Sequence, residues 1–361
     1  MKPTWRKLDL GHKTAAENMT LDEVVLTACS QGLIPNTLRF LQFRPHCALV
    51  GFFQEVDKEI HVDYCRQHQI DINRRITGGG AIYFDETTLG WEIIALKNDP
   101  LFHGPVEELY SYLCQGVIKG LGYLGVKARF RPRNDIEVDG RKISGTGGTE
   151  LEHAFLFQGT VLVDFNVDTM LNALNIPVKK LVGKEVSSIR ERVVCLRELL
   201  GYVPAGEAVK DAIAKGFAEV LGVKFEESGL TEQEEKMLSE RLPYFASRDW
   251  IDRVHKKESQ RKSVSAIYKG EGGLIRTSLV VDVPGNRIKS ALITGDFFAY
   301  PGRIIMDLEA ALKDCRAEAA VIRDVVRQCF SGGNAQIPGL TADDFSLAVM
   351  EAVTAAREAK D

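Results

Sequence analysis

Short segments in which hydrophobic and polar residues alternate recur along the chain, and longer segments with helical spacing lie between them. The alternating and β-branched segments predict strands at Ala48–Phe53, Gly80–Phe84, Trp91–Leu96, Asp135–Val138, Lys142–Ser144 and Phe157–Asp164. The helical spacing predicts helices at Leu21–Gln31, Val106–Leu121, Val167–Leu174, Val193–Leu200 and Ala205–Leu221. Some strands follow one another directly through glycine-rich turns. This favours an α+β fold, with mixed or antiparallel sheets flanked by helices, over a doubly wound parallel sheet.

The C-terminal third carries a second group of predicted elements. A polar helical stretch at Thr231–Arg241 leads to Trp250, and strand-like segments follow at Leu274–Val283 and Arg287–Thr294. Helices are predicted after them at Arg303–Asp314, Glu318–Cys329 and Ala342–Ala356. Because 361 residues exceed the size at which one hydrophobic core usually keeps growing, we expect two domains. The predicted boundary divides the chain into a large domain at residues 1–245 and a small α+β domain at residues 246–361.

Composition narrows the class of protein. A net charge of -4 and a sequence pI near 6.1 argue against nucleic acid as the main partner. No apolar run is long enough to span a bilayer, and the first residues lack the apolar stretch of a signal peptide. The seven cysteines are scattered without paired metal-ligand spacing, which is typical of reduced thiols. We therefore expect a cytoplasmic protein with no membrane and no nucleic-acid partner.

The first candidate for chemistry is a glycine triplet, Gly78-Gly79-Gly80, preceded by Arg74 and Arg75. Three glycines leave the backbone amides open to a ligand, and guanidinium groups bind anions through paired N–H donors. A glycine-rich turn with solvated arginines explains the same residues equally well. The sequence contains neither G-x-G-x-x-G at this point nor G-x-x-x-x-G-K-[ST] anywhere. A nucleotide would therefore have to bind through a different motif.

The second candidate is a hairpin around Asp139-Gly140, a strong two-residue turn signal. Pairing across this turn predicts Val138 opposite Arg141, Glu137 opposite Lys142, and Ile136 opposite Ile143. Alternation then places Lys142 among carboxylates on the polar face. An exposed cross-strand ion pair is the simpler explanation. A lysine followed by more glycines nevertheless suits a charge held against a phosphate or acyl oxygen.

The third candidate is a cationic stretch from Lys179 to Arg192, either a mobile anion-binding loop or a solvated linker into a helix. Together with Lys127, Arg129, Arg131, Arg133 and Arg141 it gives an acidic chain a basic middle. Such a patch can bind a nucleotide or steer an acidic partner domain.

Four blocks, in this order, resemble the lipoate–protein ligase A family of the biotin/lipoate ligase superfamily. They are Arg75 to Tyr83 (R-I-T-G-G-G-A-I-Y), Asn134 to Gly145, Phe157 to Leu162 (F-Q-G-T-V-L), and Lys184 to Val193. The C-terminal third also resembles the accessory domain of that family. The chain departs from the family pattern at Gln42, Phe84, Phe157 and Gln158, which concerns acyl specificity and acceptor choice.

The resemblance implies an ATP-dependent ligase that activates lipoate as lipoyl-adenylate, with ATP and Mg²⁺ as cofactors. It implies transfer to the lysine of a lipoyl-domain or glycine-cleavage H-type acceptor protein. Lys142 would be catalytic, Asp135 would lie near adenylate or metal, and the segment from Lys184 to Arg192 would close over the adenylate. The implied ATP and lipoyl-adenylate ligands are Arg75, Gly78, Gly79, Gly80, Ala81, Ile82, Tyr83, Asn134, Asp135, Lys142, Gly159, Thr160 and Lys184.

Two alternatives remain. An octanoyl or lipoyl transferase of the same superfamily would move an acyl group from a carrier protein through a cysteine thioester and would need an activated thiol near the lysine. No cysteine lies between Cys114 and Cys195, and Thr160 stands close to where one transferase type carries its cysteine. The ligase is therefore the preferred prediction. A non-catalytic lipoyl-binding homologue is the second alternative, and retention of Lys142 and the glycine triplet speaks against it.

Overall fold

The computed structural model describes residues 2–102, 104–132, 134–175, 191–254 and 263–359. The chain divides into two compact units. The first unit comprises Met1–Val50, Val56–Ile76 and Ala81–Ile251. The second comprises Gly51–Glu55, Thr77–Gly80 and Asp252–Asp361. Two short N-terminal segments, one of them containing the glycine triplet, thus belong to the second unit. The assignment of residues 1–245 and 246–361 as catalytic and accessory domains stays a prediction.

An eight-stranded mixed sheet forms the body of the first unit. Its strands are β1 (Thr4–Lys13), β2 (Thr37–Phe43), β6 (Leu89–Leu96), β7 (Arg129–Arg131), β8 (Asp135–Val138), β9 (Arg141–Leu151), β10 (Ala154–Val161) and β11 (Lys224–Glu227). The order across the sheet is β11-β1-β2-β6-β10-β9-β8-β7. The β11-β1 and β1-β2 pairs are parallel, and the remaining pairs are antiparallel. The predicted α+β fold with a mixed sheet is confirmed.

A small second sheet contains β3 (Cys47–Val50), β4 (Asp71–Arg74) and β5 (Ile82–Phe84), with β3 in the middle. The β3-β4 pair is parallel and the β3-β5 pair is antiparallel. Both strands that flank the predicted glycine loop, β4 before it and β5 after it, therefore pair with the same buried strand. This pairing fixes the two ends of the loop.

Helices α1 (Ala15–Ser30), α4 (Val106–Tyr123), α7 (Gly206–Leu221) and α8 (Glu232–Phe245) provide most of the helical cover of the first unit. Shorter helices are α2 (Val56–Glu59), α3 (Val62–Gln67), α5 (Val167–Ala173), α6 (Leu196–Leu200) and α9 (Arg248–Ile251). Capping boxes begin α1 at Thr14 with Glu17 and α8 at Thr231 with Glu234. Helix α1 packs against β6 and β10 through Val25, Leu26 and Cys29, and buries Ile94 and Leu156 of the sheet.

Beneath α1 the sheet holds a buried ionic network around Arg39. Its guanidinium lies 2.7 Å from Asp22 Oδ1 and 2.7 Å from Glu92 Oε2, and the three side chains are at most 1% exposed. Burial raises the pKa of both carboxyl groups, that of Glu92 to about 8, although Arg39 opposes this shift. Two carboxyl groups share one guanidinium here, so the network favours one retained proton.

The second unit contains an antiparallel sheet of β12 (Val264–Gly270), β13 (Gly273–Asp282) and β14 (Arg287–Gly295), with β13 in the middle. Helices α10 (Ile304–Leu312), α11 (Ala319–Gly332) and α12 (Ala342–Glu358) pack on it. Its core includes Phe297, Leu308 and Phe345, together with Phe53 from the short segment Gly51–Glu55. The C-terminal strands and helices predicted from the sequence agree with these elements to within a few residues.

Candidate active site

The hairpin of β8 and β9 turns at Asp139 and Gly140, whose φ values of 49° and 78° match the left-handed turn that the sequence predicted. Val138 pairs with Arg141 and Glu137 with Lys142, as predicted. The register then shifts, so that Ile136 pairs with Ser144 and not with Ile143. The third predicted pair is therefore wrong. A β-bulge inserts one extra residue on β9, and a bulge redirects the side chains beside it.

The bulge brings the ammonium of Lys142 over Gly145. A Cβ atom added to Gly145 would lie 2.7 Å from both Cε and Nζ of Lys142. Asp135, which pairs with Gly145, holds the ammonium through an ion pair of 2.7 Å between Nζ and Oδ1. The Lys142 side chain remains 40% exposed and that of Asp135 24% exposed. The missing side chain of Gly145 thus creates the place where an accessible, oriented cation lies.

The backbone of Lys142 is held as firmly as its side chain. Its amide donates to the carbonyl oxygen of Arg192 at 2.7 Å, and its carbonyl oxygen accepts from the amide of Val194 at 2.9 Å. Sequence analysis predicted a helix from Val193, but α6 begins at Leu196, because Val193 pairs with Lys142 as a β-bridge. Lys184, predicted to contact the adenylate, lies outside the described residues, as does Arg133.

The structure brings the other predicted residues of this region together around Gly145. The hydroxyl of Thr160 accepts from the Gly145 amide at 3.4 Å. Gly159 pairs with Thr146 one position further along β9, and Thr146 is bound to Asn134 through the amide (2.8 Å) and the hydroxyl (3.0 Å). Asn134, Asp135, Lys142, Gly159 and Thr160 therefore form one group, which we term the lysine site.

The glycine triplet has a different environment, entirely within the second unit. The Gly79 amide donates to the carbonyl oxygen of Phe297 at 3.1 Å. A Cβ atom on Gly78 would lie 2.5 Å from that same oxygen, and one on Gly79, at φ 91°, would lie 2.8 Å from the Phe298 ring. A Cβ atom on Gly80 would have room, 3.7 Å from Asp296. The open faces of Gly78 and Gly79 thus receive the Phe297–Phe298 segment.

The residues on either side of the triplet are built into the first unit. Arg75, predicted to hold a nucleotide, is 3% exposed and donates to the carbonyl oxygen of Leu49 at 3.0 Å. Burial lowers the pKa of this guanidinium to about 10. Ile82 and Tyr83 pair with β3, and the Tyr83 hydroxyl lies 2.7 Å from His46 Nδ1. Ala81 packs against the core around β3.

The fold also places a thiol near the lysine site that sequence reasoning did not consider there. Cys114 of α4 interacts with Thr146 and with the charge of Asp135. It is fully buried, and this burial raises the pKa of the thiol to about 12. Helical spacing on α4 could have revealed an inward position for Cys114, but only the fold shows that this position faces β9.

The part of the chain that the structure describes contains no cluster of three or more His, Cys, Asp or Glu side chains that could hold a metal ion. Asp135 is paired with Lys142, and its role as a metal ligand stays a prediction. The described helices also include none that is long and apolar enough to cross a membrane.

Comparison with known proteins identifies the scaffold. Residues 14–218 match the lipoyl protein ligase A/B catalytic domain. The octanoyltransferase LipM of Halalkalibacterium halodurans is 31% identical over 255 residues, covering 64% of this chain and 92% of the relative. The octanoyltransferase LipM of Kyrpidia tusciae is 29% identical and covers 68% of this chain and 98% of the relative.

Solved structures agree on the fold. A bipartite lipoate protein ligase from Thermoplasma acidophilum is 26% identical, with a TM-score of 0.63, and covers 71% of this chain and 99% of its own. LipL1 of P. falciparum, solved with lipoate, is 15% identical with a TM-score of 0.73 and covers 96% of this chain and 99% of its own. At that identity LipL1 shows the fold alone.

The names of the relatives overturn one prediction. Octanoyltransferases transfer an acyl group and do not activate lipoate with ATP, so the prediction of an ATP-dependent lipoate ligase is wrong. The transferase alternative agrees better with them. The error has a physical origin, because a cation beside an acyl carbonyl serves both reactions.

Family match, relatives and fold therefore agree on the superfamily and leave the reaction to be argued from the site. The chain is an enzyme of the lipoate ligase and octanoyltransferase superfamily, and it belongs to the lipoyl protein ligase A/B catalytic domain family.

Proposed function

We propose that this enzyme is an octanoyl or lipoyl transferase, which carries a medium-chain acyl group from the thioester of a carrier protein to the lysine of a lipoyl-domain acceptor. The observation that carries the proposal is the half-exposed ammonium of Lys142, held over Gly145 by Asp135. The octanoyltransferase relatives support the choice of acyl group.

Lys142 supplies electrostatic stabilisation in this reaction. When an amine attacks a thioester, negative charge develops on the carbonyl oxygen, and an oriented ammonium lowers the free energy of that transition state. Asp135 orients the ammonium at 2.7 Å and leaves it partly open to a substrate. The backbone bonds to Arg192 and Val194 fix the position from which it acts.

The neighbours of Lys142 hold its ammonium in place. Gly145 contributes no side chain, and its amide is held by the hydroxyl of Thr160 at 3.4 Å. The same hydrogen bond ties β9 to β10 beside the cation. An acyl carbonyl that approaches the exposed part of the Lys142 side chain therefore meets a cation in a fixed position.

The test supplies an octanoyl-carrier thioester and a lipoyl domain in the absence of ATP and follows the mass of the acceptor. We expect the acceptor to gain one octanoyl group, and Lys142→Ala to slow this transfer by ~10²–10³-fold. Arg141→Ala is the matched control, because Arg141 is the adjacent cation and pairs with Glu198; it should transfer at nearly the normal rate.

Transfer that requires ATP together with free octanoate or lipoate, and that does not proceed from the thioester, would contradict the proposal. Transfer from the thioester that survives Lys142→Ala unchanged would retain the reaction and remove Lys142 from it.

A further inference from the structure

The proposed transferase function, on which the following inference rests, depends on the position of one ammonium group. Asp135 holds Lys142 through the ion pair of 2.7 Å between Oδ1 and Nζ. Such a partly exposed pair contributes little energy of its own, because water screens the attraction and the two side chains lose freedom when they pair. The position of the ammonium therefore depends on how firmly the backbone under Asp135 is held.

The bulge separates Asp135 from the turn of its own hairpin. The register of β8 and β9 shifts between Ile136 and Glu137, so the pairs near the turn do not fix the position of Asp135. Two pairs follow beyond the shift, and the outer one joins Asp135 to Gly145. The neighbouring strand β7 is three residues long and lies at the edge of the sheet, so it gives this end of β8 little further support.

Thr146 closes this end of the two strands through three hydrogen bonds with Asn134. The amide of Thr146 donates to the carbonyl oxygen of Asn134 at 2.8 Å, and its hydroxyl donates to the same oxygen at 3.0 Å. In return, the side-chain amide of Asn134 donates to the carbonyl oxygen of Thr146 at 3.1 Å. Asn134 directly precedes Asp135, so these bonds fix the backbone from which the carboxylate extends.

Thr146 is itself anchored in the interior of the sheet. It is 6% exposed and pairs with Gly159 of β10, and β10 pairs along its whole length with β6. The thiol of Cys114 on α4 interacts with the Thr146 side chain. A buried hydroxyl keeps its hydrogen bond because leaving it unmade costs free energy. The bond from this hydroxyl to Asn134 therefore connects the rigid interior with the exposed end of β8.

We infer that Thr146 is a positioning residue of the transferase: its hydroxyl holds the backbone from which Asp135 aims the Lys142 ammonium at the acyl oxygen. Thr146 acts through Lys142 and takes no part in making or breaking bonds. The position matters because a 1 Å misplacement of a catalytic group can cost ~10²-fold in rate. The loss of the hydroxyl alone should cost less than this, since the amide of Thr146 still donates to Asn134.

The test compares Thr146→Val, which removes the hydroxyl and keeps the shape, with Thr146→Ser, which keeps the hydroxyl. The full chain transfers octanoate from a carrier thioester to a lipoyl domain, and the mass of the acceptor is followed. For Thr146→Val we expect kcat to fall about fivefold, the order of one neutral hydrogen bond, with an unchanged KM for the thioester. Thr146→Ser should stay within about twofold of the unmodified enzyme.

Thr149→Val is the matched control, because Thr149 lies further along β9 and pairs with Leu156 of β10. It loses a threonine hydroxyl from the same strand and should transfer at nearly the normal rate. Thermal unfolding of every variant sets an assay temperature well below the lowest Tm. If Thr146→Val does not fold, Thr146→Ala removes the same hydroxyl and takes its place.

A double-mutant cycle separates the positioning of Lys142 from a general effect on the protein. Thr146→Val is introduced into Lys142→Ala, and the residual transfer is followed over long incubations. We expect the second change to slow Lys142→Ala by less than about 1.5-fold, because no ammonium remains to be aimed and two residues that act as one unit are not additive.

The outcomes are distinct. The same fivefold loss in both backgrounds would overturn the inference, because Thr146 would then act independently of Lys142. An unchanged kcat for Thr146→Val, or a Thr146→Ser variant that is equally slow, would overturn it as well. Each of these results leaves the transferase function intact, since the unmodified enzyme still transfers from the thioester. Failure of the unmodified enzyme to transfer overturns the proposed function, and the positioning role with it.

Discussion

The glycine triplet and the lysine site share one sequence feature, glycines beside cationic residues, but different groups pack against their glycines. At the triplet, Phe297 and Phe298 pack against the backbone of Gly78 and Gly79. The nearby Arg75 donates a hydrogen bond to the carbonyl oxygen of Leu49. At the lysine site, the face of Gly145 receives the ammonium of Lys142, which stays 40% exposed. A glycine in a sequence therefore indicates that something approaches the backbone closely. It does not indicate whether that partner is a ligand, a functional side chain or the protein itself.

The largest effect should come from Lys142→Ala, which separates activity from stability. We expect transfer to fall by ~10²–10³-fold, because one oriented donor to the developing oxyanion is removed. The free energy of unfolding should change by less than about 1 kcal/mol, since the pair with Asp135 is substantially exposed and such pairs contribute little. Transfer kinetics and urea unfolding measure the two quantities. A large loss of stability would make Lys142 a structural residue.

Gly79→Ala should show the reverse, a large loss of stability. The new Cβ atom would need a left-handed φ near 91° and would lie 2.8 Å from the Phe298 ring. Strain and overpacking together predict a loss of about 2–4 kcal/mol in the stability of the second unit. Denaturant unfolding combined with limited proteolysis measures this loss of stability.

Gly302→Ala is the control for the triplet, because a Cβ atom there would meet nothing closer than 4.0 Å and its φ is ordinary. It should change the free energy of unfolding by no more than about 0.5 kcal/mol. If Gly79→Ala is as mild as this control, Phe297 and Phe298 do not hold the triplet.

Several features of the lysine site follow from the sequence alone because they depend on neighbouring residues. The Asp139-Gly140 turn and the Glu137–Lys142 pair are local, and both were predicted. The bulge after Lys142 was not predicted, because strict alternation across the turn assumes an unbroken register. The position of Lys142 also depends on backbone hydrogen bonds to Arg192 and Val194. The spacing of hydrophobic residues does not predict these long-range bonds.

The packing of the triplet was not predicted for the same reason, over a longer distance in the sequence. Phe297 and Phe298 lie more than two hundred positions beyond Gly79 in the sequence. Nothing in the pattern of the triplet indicates an aromatic partner, so the sequence left a bound ligand and a plain glycine-rich turn as equal explanations. The fold class, by contrast, depends on many weak periodic signals that agree, and it was predicted correctly.

Gly145→Ala should have a smaller effect than Lys142→Ala or Gly79→Ala. The added Cβ atom would lie 2.7 Å from Cε and Nζ of Lys142, which is the flexible end of a side chain and can move away. We expect transfer to fall by about tenfold, less than the 10²-fold that a 1 Å misplacement can cost, with stability nearly unchanged. A lower kcat with an unchanged KM for the thioester would indicate a displaced cation. An unchanged kcat would mean that the position of Lys142 over Gly145 is unimportant.

The last prediction concerns the buried carboxyl groups around Arg39, which Arg75 also influences. Arg75 acts electrostatically on Asp22, which with Glu92 faces Arg39. Because burial raises the pKa of Glu92 to about 8, the folded state keeps a proton that the unfolded state releases near its ordinary value of 4.5. This contribution to stability is complete below pH 4.5 and is lost as the pH rises through about 8. Glu92→Gln keeps the shape and removes the titration, so the free energy of unfolding should fall less between pH 5 and pH 8 in this variant than in the unmodified enzyme. Equal slopes in urea unfolding across that range would mean that Glu92 is already ionised in the folded state, with Arg39 and Arg75 together balancing both carboxylates.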